Sequence, residues 1–139
     1  MFVLDTNVLS GLRRLDKADQ RLLAWAETRP VEDFYTSVIS ILELEIGTLL
    51  LARHDVGQAR MYRRWLDMIV LPQFDGRILP IDTAVAIACA NMHVPDPKPE
   101  RDALIAATAL VHDKTVVTRN VKDFKGTGVR LFNPWEEGI

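Results

Sequence analysis

A chain of 139 residues and 15.7 kDa, 48% hydrophobic and 26% charged, is long enough to bury one continuous core without disulfides or structural metals. A net charge of -2 with a pI near 5.9 argues against a general polyanion binder, while leaving room for local basic patches that position phosphates. No stretch reaches the roughly 18 apolar residues of a membrane span, and no basic flank or cleavable apolar segment opens the chain, so a soluble, cytoplasmic, single-domain protein over residues 1–139 is expected.

In chain order, Phe2, Val3 and Leu4 form an uninterrupted apolar run suited to a strand covered on both faces, which leaves Asp5 at the strand end. "NVLSGLRRL" predicts a short helix with Thr6 or Asn7 as its cap. Residues 17 to 28 place Leu22, Leu23, Trp25 and Ala26 on one face of a second helix. "DFYTSV" has strand composition, and "SILELEIGTLLLARHD" predicts a long helix starting at Ser40. "GQARMYRRWLDMIVL" predicts a helix ending near Pro72, "GRILPI" a strand, and "DTAVAIACANMH" a helix capped by Asp82, with Cys89 as a small buried side chain. The three prolines of "VPDPKPE" impose an extended loop. "RDALIAATALVHD" follows as a helix whose small residues can lie close against a sheet. "KTVVTRN" and "VRLF" read as strands, and "NPWEEGI" as a tail. Strands alternating with helices predict an α/β fold with a mainly parallel sheet and ligands at the carboxyl ends of its strands.

That edge collects carboxylates. Asp5 ends one strand, Arg119 and Asn120 follow another, and Glu43 and Asp102 are expected in the first turns of helices starting there. Each has a structural explanation alone: Asp5 as a helix cap, Glu43 completing a capping box with Ser40, Asp102 complementing a helix dipole. Together they repel and raise one another's pKa unless a cation sits among them, and all-oxygen donors of high charge select Mg2+ or Mn2+ over zinc. His54, His93 and His112 lie apart from one another, which leaves no competing zinc set of several ligands. Dinucleotide, P-loop and nucleophile-elbow motifs are missing. Two basic clusters, Arg13, Arg14, Lys17 and Arg21, and Arg60, Arg63 and Arg64, read on their own as solvated helix faces and, beside an acidic site, as patches that position phosphates.

Taken in order, "LDTNVLS", "ISILELEIGTLLL", "RDALIAATAL", "VVTRNVKDF" and "VRLFNPW" resemble the PIN-domain family, and within it the VapC-type toxins of the FitB-like branch, over roughly residues 1 to 135. The resemblance implies an α/β/α sandwich around a parallel sheet of about five strands and a metal-dependent ribonuclease. It implies Asp5, Glu43 and Asp102 as the acidic core, with Mg2+ as cofactor and Mn2+ able to substitute. The family's fourth acid often stands where this chain has Asn120, while many members carry one at the place of Asp123. Thr6 and Thr118 are expected to help hold the phosphate or a metal ligand, and Arg13 and Arg14 to contact RNA. Implied partners are a VapB-type antitoxin that binds DNA on the toxin's behalf, and a second toxin copy in a homodimer or larger complex. Two rival readings stand beside this: a catalytically weak PIN-fold binding module regulated through its antitoxin, and a Mg-dependent phosphotransfer enzyme using Asp5 as nucleophile. Against the latter, Asn7 stands where a "DxD" pattern has its second acid.

Overall fold

The computed structural model describes residues 1–136. Its sheet has five strands in the order β3-β2-β1-β4-β5: β1 (Phe2–Leu4), β2 (Phe34–Ser37), β3 (Ile78–Leu79), β4 (Thr115–Val117) and β5 (Leu131–Phe132). Every pairing is parallel, with Leu4 beside Thr36 on one flank and beside Val117 on the other. Such pairings need long crossovers, and these are supplied by α1 (Thr6–Gly11), α2 (Gln20–Glu27), α3 (Val38–Leu51), α4 (Val56–Trp65), α5 (Leu71–Gln73), α6 (Thr83–Met92) and α7 (Glu100–Val111). Among the described residues no helix is long and apolar enough to cross a membrane.

The side-chain alternation of the strands divides the core into two layers. Val3 and Val116 face Val85, Ile105, Ala106 and Phe124, whereas Leu4 and Val117 face Val8, Leu22, Trp25, Trp65 and Trp135. Ala103, Ala106, Ala107 and Ala109 of α7 are fully buried, so this helix lies close against the sheet as its small residues predict. The chain runs outward from β1 through β2 to β3, then returns to the other side of β1 to form β4 and β5. Strand order therefore reverses between β1 and β4, and a crevice opens where their crossovers diverge.

Several local expectations shift. Helix α1 is capped by Asp5, whose carboxylate accepts from Thr6 N, rather than by Thr6 or Asn7. It ends at Gly11, so Arg13 and Arg14 lie beyond it. Helix α3 starts at Val38, because the Ser37 hydroxyl accepts from the backbone of Ile39 and Ser40 and caps the helix there. Ser40 is thus inside the helix and fully buried, no Ser40–Glu43 capping box forms, and Glu43 sits past the first turn. The helix expected to end near Pro72 passes from α4 through a π turn at Leu66–Val70 into α5, a wider turn that suits the missing proline donor. The tail is not loose up to Trp135, which is buried in the core with its backbone N–H bonded to the Asn133 side chain. The remainder of that segment, residues 137–139, lies outside the described residues.

Candidate active site

The crevice between β1 and β4 is built around Asp5. Its backbone N–H still bonds Val117 O at 2.9 Å, so the residue is held in register with β4 at the last rung of the ladder. Asp5 is only 6% exposed, and donors surround it. Oδ1 accepts from Thr6 N at 2.8 Å; Oδ2 accepts from the Thr118 hydroxyl at 2.7 Å and from Asn7 Nδ2 at 3.3 Å. Burial pushes the carboxyl above its ordinary range, the bonds from Thr118 and Thr6 N offset part of this, and the charges of Glu43 and Asp123 add to the rise.

Glu43 enters from α3. Its Oε1 accepts from the Thr6 hydroxyl at 2.7 Å, and that hydroxyl lies 3.0 Å from the buried Ser40 Oγ. Its Oε2 is 3.7 Å from Arg101 Nη1, a half-exposed guanidinium from the start of α7. Asp102, the next residue, has its pKa raised to about 6, first by burial and then by Asp5, Asp123 and Glu43. The short 3-10 turn Val121–Phe124 carries Asp123 into this field, where it acts on both Asp5 and Asp102. Asn120 is exposed; its backbone N–H bonds Thr118 Oγ1 at 3.0 Å. Between the two positions for a fourth acid, the electrostatic contribution comes from Asp123.

Asp5, Glu43, Asp102 and Asp123 therefore share one field, with Thr6 and Thr118 as the hydroxyls that order it. Arg13 and Arg14 lie elsewhere: Arg13 stacks over the Tyr62 ring at 4.2 Å beside an apolar groove, and Arg14 pairs with Asp16 at 3.0 Å. Asn7 and Arg101 are the site residues sequence reasoning missed. The third residue of "DTN" and the neighbour of Asp102 were the available signals, but neither shows its contacts without the fold.

Among the described residues, no three acidic, histidine or cysteine side chains stand close enough to enclose an ion as they are. The donor chemistry still fits a hard cation. Mg2+ is commonly held by one or two carboxylates and keeps several waters, and mutually destabilised carboxylates favour a cation among them.

The groove beside Arg13 has a volume of about 430 Å³ and lies on the α2–α4 face, with Leu12, Leu15, Leu23, Ile69 and Phe74 among its walls. Leu15 and Ile69 are more than half exposed.

Comparison with known proteins agrees with this geometry. The PIN domain family model matches residues 2–128. "VapC ribonuclease Y4jK" of Sinorhizobium fredii is 35% identical, covering 98% of this chain and 99% of the relative. "Toxin FitB" of Neisseria gonorrhoeae is 36% identical, covering 99% and 100%. Among solved structures, FitAcB from Neisseria gonorrhoeae superposes with a TM-score of 0.89 at 36% identity over 99% of this chain and 100% of that one. FitAB bound to a DNA fragment gives 0.88 at 34%, over 100% of this chain and 99% of that one. With its five parallel strands, its reversal of strand order at Asp5 and these full-length matches, the chain belongs to the PIN-domain family.

Proposed function

We propose that this protein is a Mg2+-dependent endoribonuclease, with Mn2+ able to substitute, acting in the cytoplasm as the single-domain toxin of a toxin-antitoxin pair. The observation that carries the reading is the gathering of Asp5, Glu43, Asp102 and Asp123 at the point where strand order reverses, where Asp102 is pushed up to about 6. The matched relatives are a VapC ribonuclease and the FitB toxin, and the FitB structures are complexes.

Asp5, Asp102 and Glu43 are the residues that would hold the cation, with Asp123 completing the negative field. When bound there, a divalent ion supplies Lewis-acid charge to the phosphodiester and lowers the pKa of water. The chain's own groups do the rest. Thr6 N, Thr118 and Asn7 fix the Asp5 carboxylate in one orientation before any ligand arrives. Thr6 anchors Oε1 of Glu43, so the carboxylate is held in place either to help hold the cation or to take a proton from the attacking water, while the oxygen that leaves as the P–O bond breaks is protonated from solvent. Arg101, now beside Glu43, is placed to meet the charge of an incoming phosphate. Single-stranded RNA suits such an edge, since its bases can splay beside the crevice. The exposed apolar groove between α2 and α4 offers the antitoxin a seat for an amphipathic segment.

The test is cleavage of total cellular RNA by antitoxin-free protein in Mg2+, in Mn2+ and in EDTA, with Asp102→Asn alongside. Cleavage that requires both the cation and Asp102 is expected; cleavage that persists in EDTA or in the variant overturns the reading. The binding-module alternative draws on the Arg101–Glu43 contact, which partly neutralises the site. It predicts no rise in melting temperature with Mn2+, whereas an intact site predicts a clear one.

A further inference from the structure

A second cavity, of about 380 Å³, opens beside the acids and shares a wall with them. Its polar lining is Asn7, Lys17, Asp19 and Arg119, and its apolar floor is Gly11, Leu22 and Trp135. Asn7 is the shared wall. Its Nδ2 reaches Asp5 and Thr118, and its Oδ1 accepts from Arg119 N at 3.2 Å, so cavity and acids stand one side chain apart.

The charges are available. The Arg119 guanidinium lies over the Trp135 ring, 5.3 Å from its centroid, and makes no ion pair among the described residues. Lys17 is exposed and likewise unpaired among them. The one acid in the lining is partly offset: Asp19 Oδ1 accepts from Arg21 N at 2.8 Å, capping α2, and lies 3.5 Å from the Arg21 guanidinium, which leaves the two cations in excess. Two free cations thus flank a cavity next to a negative site. A divalent-cation ligand has nothing to bind there, whereas a phosphate does.

Resting on the ribonuclease reading above, we propose that this cavity is the subsite for the nucleotide next to the scissile bond, with Lys17 and Arg119 holding its phosphate. The volume falls within the roughly 300–1,000 Å³ range of small-molecule sites, and the Arg119 guanidinium beside the Trp135 ring offers planar groups on which an unstacked base can rest. The subsite resolves the basic cluster around residues 13 to 21. The fold sends Arg13 to Tyr62, Arg14 to Asp16 and Arg21 to Asp19, and of these four residues only Lys17 lines the cavity, where Arg119 joins it from the end of β4.

The experiment measures cleavage and binding of a fluorescein-labelled, random-sequence, single-stranded RNA pool by Lys17→Ala and Arg119→Ala. Binding is read by anisotropy in the Asp102→Asn background across a salt series, and Arg130→Ala serves as a charge-matched control at the opposite end of the sheet. Lys17 makes no side-chain contact that the fold needs, so its variant keeps the question open to test even if Arg119→Ala unfolds. Each substitution is expected to raise KM and weaken binding about tenfold, with kcat within twofold, and to flatten the salt slope by about 0.7. If wild-type protein cleaves but KM, affinity and slope are unchanged in both variants, the subsite is wrong and the nuclease stands. If the loss is in kcat alone, the two side chains act on the reacting groups and not on nucleotide affinity, and the subsite is wrong. If RNA binding is kept while antitoxin capture is lost, the cavity belongs to a protein contact. If wild type neither cleaves nor binds RNA, both readings fall.

Discussion

Thr118 donates its hydroxyl proton to Asp5 across the gap between neighbouring strands, and that short bond shows how the site tolerates a buried carboxylate. The compensation is incomplete. Asp5 and Asp102 both remain above the ordinary carboxylate range, each through burial first. A carboxyl whose pKa is higher in the folded than in the unfolded chain binds more protons when folded, so stability falls as pH rises between the two values. For Asp102 that window runs from 3.8 to about 6. Cation-free protein should therefore melt at a lower temperature at pH 7.5 than at pH 5, and Mn2+ should reverse the difference. Asp16, Asp19 and Glu45 have lowered values, so their contribution is lost only at more acid pH and does not mask the effect. In Asp102→Asn the pH 7.5 deficit should shrink while cleavage falls more than about 100-fold. A variant whose melting keeps the full wild-type pH dependence counts against Asp102 as a source of the strain. Gly11 belongs to this scale as well. A Cβ there would meet Leu22 Cδ2 at 2.9 Å and Trp135 Cζ2 at 3.1 Å, so Gly11→Ala should cost ~1–3 kcal/mol in denaturant melts and loosen Trp135.

At the scale of elements, helix starts decide where the acids go. Ser37 ends β2 and caps α3 in one residue, and this places Ser40 under Thr6 and lets Glu43 meet the Thr6 hydroxyl. Ser37→Ala removes the cap and should lower stability by about 1 kcal/mol, with a larger proportional loss of cleavage because Glu43 shifts with its helix. Equal losses in folding and in the activity of the folded fraction would confine Ser37 to a structural role. Helix α7 works differently. Its N-terminal Asp102 is aimed by four fully buried alanines that press the helix to the sheet, so Ala106→Leu should overpack that contact by ~1–3 kcal/mol and move Asp102 outward.

At the scale of the molecule, two concave surfaces differ in chemistry, and a separate task is proposed for each. The cavity beside Asn7 is cationic and adjoins the acids, while the groove lined by Leu15 and Ile69 is apolar and set apart. Charge introduced into the groove should separate the functions: Ile69→Asp, at a position 53% exposed, should abolish capture of the antitoxin while leaving RNA cleavage within twofold. Loss of cleavage with capture retained would reverse the assignment of the two surfaces. The parallel sheet that positions both surfaces was readable from the alternation of apolar runs and amphipathic segments, since local composition reports which faces are buried. Asp5, Glu43 and Asp102 were legible as carboxylates at strand and helix ends, and the order of the motifs carried the family. Their contacts were not. Glu43 was expected in a capping box, but the real cap lies at Ser37, because hydroxyls of two serines compete for one helix start and only the path of β2 chooses between them. Arg13 and Arg14 stand close to Lys17 in sequence, yet their side chains go to Tyr62 and Asp16 whereas Lys17 lines the second cavity, since α1 ends before all three. By itself, then, the sequence determined the parallel α/β sheet and the acidic edge, which follow from short-range pattern, and the family, which the ordered motifs carried by resemblance. Only the tertiary structure decided that the Asp123 charge acts on Asp5 and Asp102, that Asn7 joins Asp5 to a second cavity, and which cations line it, because each depends on the separation of groups brought together by strands far apart in the chain.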